Sequence, residues 1–295
     1  MNRRELLTAM PLAFAAASLP LIATAESAPQ PLNPGDSTWD RIQKTKILRI
    51  GAPVMEPWYF KDSSGSDLPG AVVSNGVTWR GVGISFAKAV ADAMNVQLEI
   101  VETTWANAVA GLQTGQFDTF VLLDATPARA LSVNFIPTPL LWYPLALLAK
   151  DDAKIENWQQ INDPSFTIGV GLGTTWDEFI TKEAPKANIS RFQSSAEIFA
   201  AFQAGRINAG LISAVAADLA RARIGSGKTL VPAPKVYIPG GIAVRQENDS
   251  RWLNYLNTCA GYFYYTGKSQ QFYETFLKFR GIDPKSVIPV QRESA

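Results

Sequence analysis

The chain has 295 residues, 27 of them Lys or Arg and 26 Asp or Glu, with no histidine and one cysteine. This near-neutral balance lacks the basic surplus that nucleic-acid binding needs, so we expect no nucleic-acid partner. Without histidine the chain cannot build Ser-His-Asp or Cys-His nucleophiles or histidine-ligated metal sites, and we predict no metal, no cofactor and no hydrolase chemistry.

The N-terminus has the pattern of an export signal. Arg3 and Arg4 precede an apolar run over residues 6–22 that ends in ATA, which is typical of a cleavable signal peptide over residues 1–25. The run is short for a membrane span, which needs about 20 apolar residues. No cysteine follows for lipid attachment, so we predict a soluble periplasmic protein. The paired arginines resemble the twin-arginine signal, and the choice between that route and the Sec route stays open.

A polar segment follows this signal. Residues 26–36, ESAPQPLNPGD, are rich in proline and small or polar residues and show no apolar period. Such a composition cannot bury enough apolar surface to fold. We predict a disordered leader over residues 26–37 and folded structure from about Trp39 onwards.

One pattern occurs twice in the remaining chain. AGLQTGQFDTFVLL (residues 110–123) and AAFQAGRINAGLI (residues 200–212) share Gln, one residue, Gly, then Asp or Asn three positions on. Each predicts an amphipathic helix ending at a glycine of positive φ, Gly115 or Gly205, with a short strand after it.

An earlier strand also occurs in both copies. KILRIGAPV (residues 46–54) and FTIGVGLG (residues 166–173) are β-rich runs that lead into turns. The first copy is longer, and the polar, glycine-rich residues 61–81 can form an inserted hairpin or loop. Two β-α-β units predict an α/β protein with two lobes, each built on a parallel sheet.

DATPARALSVNF (residues 124–135) places an acid, a hydroxyl and a guanidinium directly after an apolar run. Thr126 followed by Pro127 predicts the N-cap and first residue of a helix, with Arg129 in its first turn. A cation is unfavourable at that end of a helix unless an anion is bound there, and a guanidinium can bind a carboxylate through two hydrogen bonds. The alternative is a surface salt bridge between Arg129 and Asp124 without a ligand.

The second copy has a comparable strand end. GVGLGTTWDEF (residues 169–179) leaves a strand through two glycines and enters a helix at Thr174 and Thr175. A dinucleotide fingerprint is disfavoured, because the third glycine and the later acidic residue are missing. Since open α/β sheets bind ligands at their strand ends, we expect an anionic small molecule between the two lobes.

Aromatic residues surround both stretches. Trp105 follows the strand-like LEIVETT at a predicted helix start, where its ring can stack on a ligand. We interpret Phe60, Trp142 and Tyr143 as core or hinge packing, which is the usual role of such residues.

Together these segments resemble the family 3 extracellular solute-binding proteins, the periplasmic receptors of ABC importers for polar amino acids and related compounds. The resemblance covers roughly residues 38–281, and the step from Thr126 to Arg129 is its most specific part. In family order the matching segments are KILRIGAPVMEPWYF, WRGVGISFAKAVADAMN, TTWANAVAGLQTGQFD, DATPARALSVNF, TIGVGLGTTWDEF, FQAGRINA and YTGKSQQFYETFLKFRG.

The resemblance implies a type II periplasmic-binding-protein fold, in which two Rossmann-like lobes close on the ligand about a two-strand hinge. Lobe 1 would be discontinuous, with residues 38–144 and 241–282, and lobe 2 would comprise residues 145–240. Residues 283–295 would form a C-terminal tail. The implied partner is an ABC permease in the inner membrane, and the implied oligomeric state is a monomer.

The resemblance also implies where a ligand carboxylate binds. Arg129 would form the salt bridge with that carboxylate, next to Thr126 on the same step. Asp124 stands where a small hydroxyl residue commonly helps. Thr174 and Thr175 would contact the carboxylate from the second lobe.

The walls of the implied site are aromatic, and one family residue is missing. Trp105 would form one wall, and Met55 or Trp58 the opposite wall. The acid that commonly pairs with a ligand's α-ammonium falls at Ser213, which cannot offset the desolvation of a primary ammonium. Either Asp124 has taken over that role or the ligand is not an ordinary α-amino acid. We favour a carboxylate without a primary ammonium, or one with a delocalised or quaternary cation.

The predicted function is that of a non-catalytic receptor for a small carboxylate-bearing solute. One alternative is an accessory or sensory periplasmic protein that docks on another protein, for example an alcohol-oxidising dehydrogenase. The other is a periplasmic dehydratase with Asp124 as its general acid.

Overall fold

The computed structural model describes residues 36–291. The predicted signal peptide and residues 26–35 of the predicted leader lie outside the described residues, so both stay predictions. Ser37, the last residue of that leader, is the N-cap of the first helix, and its hydroxyl accepts a hydrogen bond from Asp40 N at 3.2 Å. No helix between residues 36 and 291 is both long and apolar enough to cross a membrane.

Helices and strands alternate along most of the chain. The helices are α1 (Thr38–Thr45), α2 (Val82–Met94), α3 (Ala108–Gln113), α4 (Pro127–Ala130), α5 (Thr175–Glu183), α6 (Ser195–Gln203), α7 (Ala214–Ile224), α8 (Arg251–Tyr265) and α9 (Lys268–Phe279). The strands are β1 (Ile47–Pro53), β2 (Phe60–Lys61), β3 (Val72–Ser74), β4 (Val77–Arg80), β5 (Gln97–Thr103), β6 (Thr119–Val121), β7 (Val133–Phe135), β8 (Leu141–Ala149), β9 (Thr167–Gly171), β10 (Asn188–Phe192), β11 (Ala209–Ser213), β12 (Lys228–Leu230), β13 (Tyr237–Gly240) and β14 (Ile242–Arg245).

The first sheet has the strand order β5-β1-β6-β14-β7. Strand β1 runs parallel to both of its neighbours, β5 and β6, and α2 and α3 form the crossovers between these strands. Six of the seven residues of β1 are buried, as expected for a parallel strand covered on both faces. The carboxyl ends of β1 and β6 therefore meet at one edge of this sheet.

The second sheet repeats the arrangement with the order β10-β9-β11-β8-β12. Strand β9 runs parallel to β10 and β11, and α5 and α6 are the crossovers. The prediction of two α/β lobes is confirmed. The prediction of parallel sheets is wrong at β8 and β14, because β8 is antiparallel to β11 and β14 is antiparallel to β6. The chain passes between the sheets at these two strands. Each of them therefore runs in the direction opposite to the strands of the β-α-β units in its sheet.

Two crossing segments join the sheets. Strand β8 carries the chain into the second sheet, and β13 leads it back to β14 in the first. The two segments pair antiparallel, with Tyr143 opposite Ile238 and Trp142 opposite Pro239. The C-terminal segment packs here as well, because Trp142 N donates to the carbonyl of Val290 at 2.9 Å.

The inserted segment forms its own small sheet of order β2-β4-β3. Asn75 and Gly76 both have positive φ, at 49° and 74°, as a two-residue hairpin turn requires. The buried Arg80 fixes the loop, since its Nε donates to Asp62 at 2.6 Å and its other nitrogens donate to the carbonyls of Ser66, Leu68 and Pro69. The prediction of an inserted hairpin is therefore confirmed.

The repeated glycines behave as their pattern predicts. Gly115 follows α3 with φ 67°, and Gly205 follows α6 with φ 68°. In both copies the chain then turns directly into a buried strand, β6 or β11. The two copies of the pattern therefore share one local geometry.

Candidate functional site

The first part of the site lies where the chain leaves β6. Leu122 has φ 62°, which a branched side chain rarely adopts and which is characteristic of functional positions under strain. Thr126 then caps α4 by accepting a hydrogen bond from Arg129 N at 3.1 Å. The turn directs the Asp124 carboxyl inwards and leaves it 9% exposed.

Arg129 connects the two sides of the site. Its Nη1 donates to the main-chain carbonyl of Asp124 at 2.7 Å, and its Nη2 donates to the carbonyl of Gly173 at 2.9 Å. The guanidinium is therefore held by main-chain carbonyls of both lobes. The alternative of a surface salt bridge between Arg129 and Asp124 is wrong, because the carboxyl is buried and the guanidinium bonds the main chain.

The second part of the site lies where the chain leaves β9. Gly173 has φ 74°, and a Cβ built there would lie 3.0 Å from Cα of Ala106 in the first lobe. Glycine at this position permits both the turn and the close approach of the lobes. Thr174 then caps α5, accepting from Asp177 N at 3.2 Å and donating to the Gly171 carbonyl at 2.7 Å.

Side chains from both lobes surround the Asp124 carboxyl. The Thr175 hydroxyl donates to its Oδ2, and the Tyr143 hydroxyl donates to its Oδ1 at 3.2 Å. Trp176 Nε1 in turn donates to the Tyr143 hydroxyl at 3.3 Å. Burial raises the pKa of Asp124 to about 6, although the bonds from Thr175 and Tyr143 and the charge of Arg129 act in the opposite direction. The carboxyl is thus close to half protonated in mildly acidic solution.

A cavity of ≈ 10 Å³ lies at this junction, which is about the space that one water requires. Its walls are mainly aromatic, with the Trp58 and Tyr143 ring centroids 5.2 Å apart and those of Tyr143 and Trp176 5.9 Å apart. Trp105 Nε1 is buried and has no hydrogen-bond partner. The lining residues are Met55, Trp58, Trp105, Leu122, Asp124, Arg129, Tyr143, Thr174, Thr175 and Trp176. A cavity of this size has no room for a solute larger than about one water.

The cavity brings together most, but not all, of the predicted site residues. Among its lining residues are the predicted Arg129, Asp124, Trp105, Thr174, Thr175, Met55 and Trp58. Thr126 and Ser213 do not line it. Each is an N-cap, and the hydroxyl of the fully buried Ser213 accepts from Ala216 N at 3.1 Å.

Sequence reasoning missed Leu122, Tyr143 and Trp176. Tyr143 was interpreted as packing, but it lines the cavity and bonds Asp124. Trp176 directly follows the predicted Thr175, and this adjacency was the available signal. Leu122 carried none, because its positive φ is a property of the folded turn. Between residues 36 and 291 no cluster of three or more His, Cys, Asp or Glu side chains could hold a metal.

Replacing Thr126 by alanine tests how Arg129 is positioned. The variant loses the hydrogen bond from Arg129 N, and its free energy of unfolding should be about 1 kcal/mol lower. Thr126→Ser keeps the hydroxyl and should match the unmodified protein in urea unfolding. Because the two carbonyl bonds of Arg129 remain, solute affinity should fall less than about tenfold in Thr126→Ala. Equal stability of the Ala and Ser variants would show that the cap contributes nothing.

The family model described as bacterial extracellular solute-binding proteins, family 3, matches residues 63–279. The chain belongs to this family. The predicted family is thereby confirmed, as is the predicted two-lobed fold, and the predicted solute-binding role fits the family.

The proteins to which this chain is similar include both binding proteins and an enzyme. An ancestral amino acid-binding protein, described as a precursor of cyclohexadienyl dehydratase, is 30% identical with a TM-score of 0.70, covering 81% of this chain and 99% of its own. An amino acid ABC transporter substrate-binding protein from Streptococcus pneumoniae, bound to L-arginine, is 22% identical with a TM-score of 0.72, covering 82% and 98%. Cyclohexadienyl dehydratase of Pseudomonas aeruginosa is 23% identical over 217 residues, which are 70% of this chain and 72% of the enzyme.

Proposed function

We propose that the protein is a periplasmic receptor of an ABC importer and binds a small carboxylate-bearing solute, an amino acid or an amino-acid-like compound. The observation that carries this proposal is the position of Arg129, held by carbonyls of both lobes at the wall of the interlobe cavity. The proposal includes a monomeric receptor, an inner-membrane permease as its partner and a cleaved signal peptide.

Arg129 is suited to bind a carboxylate. A guanidinium has five N–H donors in a rigid fork, and the bonds to the carbonyls of Asp124 and Gly173 orient this fork without neutralising its charge. A carboxylate in the cavity would accept from the remaining donors and, as a charge-assisted pair, bind more strongly than a neutral group. The Thr174 and Thr175 segment faces the same cavity from the other lobe.

The lobe boundaries belong to the same proposal. Residues 38–144 with 241–282 would form one lobe and residues 145–240 the other, with β8 and β13 as the hinge. Solute entry would require rotation about this hinge, because the closed cavity admits about one water. Closure would then place Arg129 and Gly173 in contact, so that binding and closure are coupled.

A thermal-shift screen followed by calorimetry tests the receptor proposal. Amino acids, betaines, opines and simple and aromatic carboxylates are added singly to the purified protein. A solute present at about 100 times its Kd adds roughly 2.7 kcal/mol to the free energy of unfolding. Stabilisation by one carboxylate class supports the proposal. If no compound in the library stabilises the protein, the result contradicts the proposal and favours the alternative role of docking on another protein.

A dehydratase is the second candidate, favoured by the buried Asp124 carboxyl. Its pKa of about 6 suits a general acid, which would protonate a leaving hydroxyl so that water departs. The 23% identity to cyclohexadienyl dehydratase points the same way. The test is incubation with cyclohexadienyl carboxylates while product absorbance is followed, with Asp124→Asn as control. Turnover lost in that variant supports an enzyme, and binding without turnover supports the receptor.

A further inference from the structure

The cavity combines one buried negative charge with aromatic walls. The Asp124 carboxyl lines it, and so do Trp58, Trp105, Tyr143 and Trp176. Aromatic faces attract cations through the ring quadrupole, and the attraction strengthens when water is excluded. The chemistry around Asp124 therefore suits the cationic end of a solute, whereas Arg129 suits its anionic end.

The carboxylate and main-chain acceptors at the site each already accept a hydrogen bond, so a solute N–H would have to share them with an existing donor. Both carboxylate oxygens of Asp124 accept bonds, from Thr175 and from Tyr143. The carbonyls of Asp124 and Gly173 accept from Arg129, and that of Gly171 accepts from a hydroxyl. A primary ammonium brings three N–H donors and a guanidinium five. Each buried donor left without an acceptor costs about 1–3 kcal/mol.

The other lobe contributes no carboxylate to the residues that line the cavity. Ser213 is fully buried, its hydroxyl caps α7, and it does not line the cavity. The site instead presents donors, since Trp105 Nε1 is buried without a partner and Arg129 carries further N–H groups. A quaternary ammonium matches this balance, because it carries a full charge and no N–H donor.

Resting on the proposed function, we infer that the solute is a small zwitterion with a quaternary ammonium group. Its cation lies between Asp124 and the aromatic walls, and its carboxylate accepts from Arg129. Trp105 Nε1 provides a further donor for that carboxylate.

A matched ligand series on the unmodified protein tests this inference by calorimetry at neutral pH. Trimethylglycine is compared with glycine, which has the same carboxylate and a primary ammonium. It is also compared with 3,3-dimethylbutanoate, which has the same shape but no charge on its tert-butyl end. Trimethylglycine should bind at least about tenfold more tightly than either. In Asp124→Asn the affinity of trimethylglycine should exceed that of 3,3-dimethylbutanoate by about twofold or less. The affinity for glycine should not rise in this variant.

The outcomes separate this inference from the proposed function. Tighter binding of glycine, or of an amino acid with a primary ammonium or guanidinium, overturns the quaternary-ammonium inference and leaves the receptor intact. Equal binding of trimethylglycine and its uncharged isostere overturns it as well. If no carboxylate in the series or in the wider screen binds, both the receptor proposal and the quaternary-ammonium inference fail. Because the ligand comparison uses the unmodified protein, it stands even if Asp124→Asn does not fold.

Discussion

Arg129→Ala is expected to weaken binding of the carboxylate solute by at least about 100-fold. A hydrogen bond to a charged group contributes about 1.5–3 kcal/mol, and the fork can make two of them to one carboxylate. The variant also loses the Nη2 bond to the Gly173 carbonyl, which joins the lobes in the closed state. Isothermal titration calorimetry with the solute found in the screen measures the change in Kd.

Arg129→Lys is the matched control for this result. Lysine keeps the positive charge but not the planar fork, so its affinity should fall between those of the unmodified protein and the alanine variant. Arg129 is only half-buried, and both variants should keep the cooperative unfolding of the unmodified protein. An unchanged Kd in Arg129→Ala would remove the carboxylate clamp from the proposed function.

Asp124→Asn is expected to stabilise the solute-free protein by up to about 3 kcal/mol at about pH 8. The pKa of Asp124 is raised from 3.8 to about 6, mainly by burial, and each unit corresponds to about 1.4 kcal/mol. The folded state therefore binds more protons than the unfolded state between these two values. The stability linked to this group is fully present below about pH 4 and is lost as pH rises through about 6. Asparagine stays neutral and avoids that loss.

Urea unfolding at about pH 4 and about pH 8 measures this effect. The two proteins should be nearly equal in stability at the lower pH and differ at the higher one. The groups that face Asp124 are Thr175, Tyr143 and the charged Arg129. Asp163→Asn is a control that should show the opposite pH dependence of stability, because hydrogen bonds from Ser165 lower the pKa of that exposed carboxyl. A stability difference that is the same at both pH values would contradict a burial-raised pKa at Asp124.

Arg129 and Asp124 are expected to have different roles in binding and in stability. Arg129 is expected to support binding while contributing little to the stability of the solute-free fold. Asp124 is expected to lower that stability at neutral pH, because burial of an ionised carboxylate is unfavourable until a cation compensates it. A residue that destabilises the free protein and is compensated by the ligand is an example of the trade-off between stability and function.

The local features of this protein follow from residues that are close together in the chain. The glycines after α3 and α6, the Thr126 cap and the Asn75-Gly76 turn each depend on φ preferences or hydrogen bonds between residues close in the chain. Composition and the repeated units were enough to predict two α/β lobes, because period and turn chemistry are local. The position of Arg129 in the short helix that follows β6 depends on the same kind of local pattern.

The assembly of the site depends on contacts between residues that are far apart in the chain. Asp124 meets Thr175, 51 residues away, and Arg129 bonds the carbonyl of Gly173, 44 residues away in the other lobe. The role of Tyr143 and the antiparallel strands β8 and β14 likewise depend on where the chain crosses between sheets. Periodicity carries no information on such pairings, because they depend on which surfaces pack together. The raised pKa of Asp124 has the same origin, since burial by distant residues causes it.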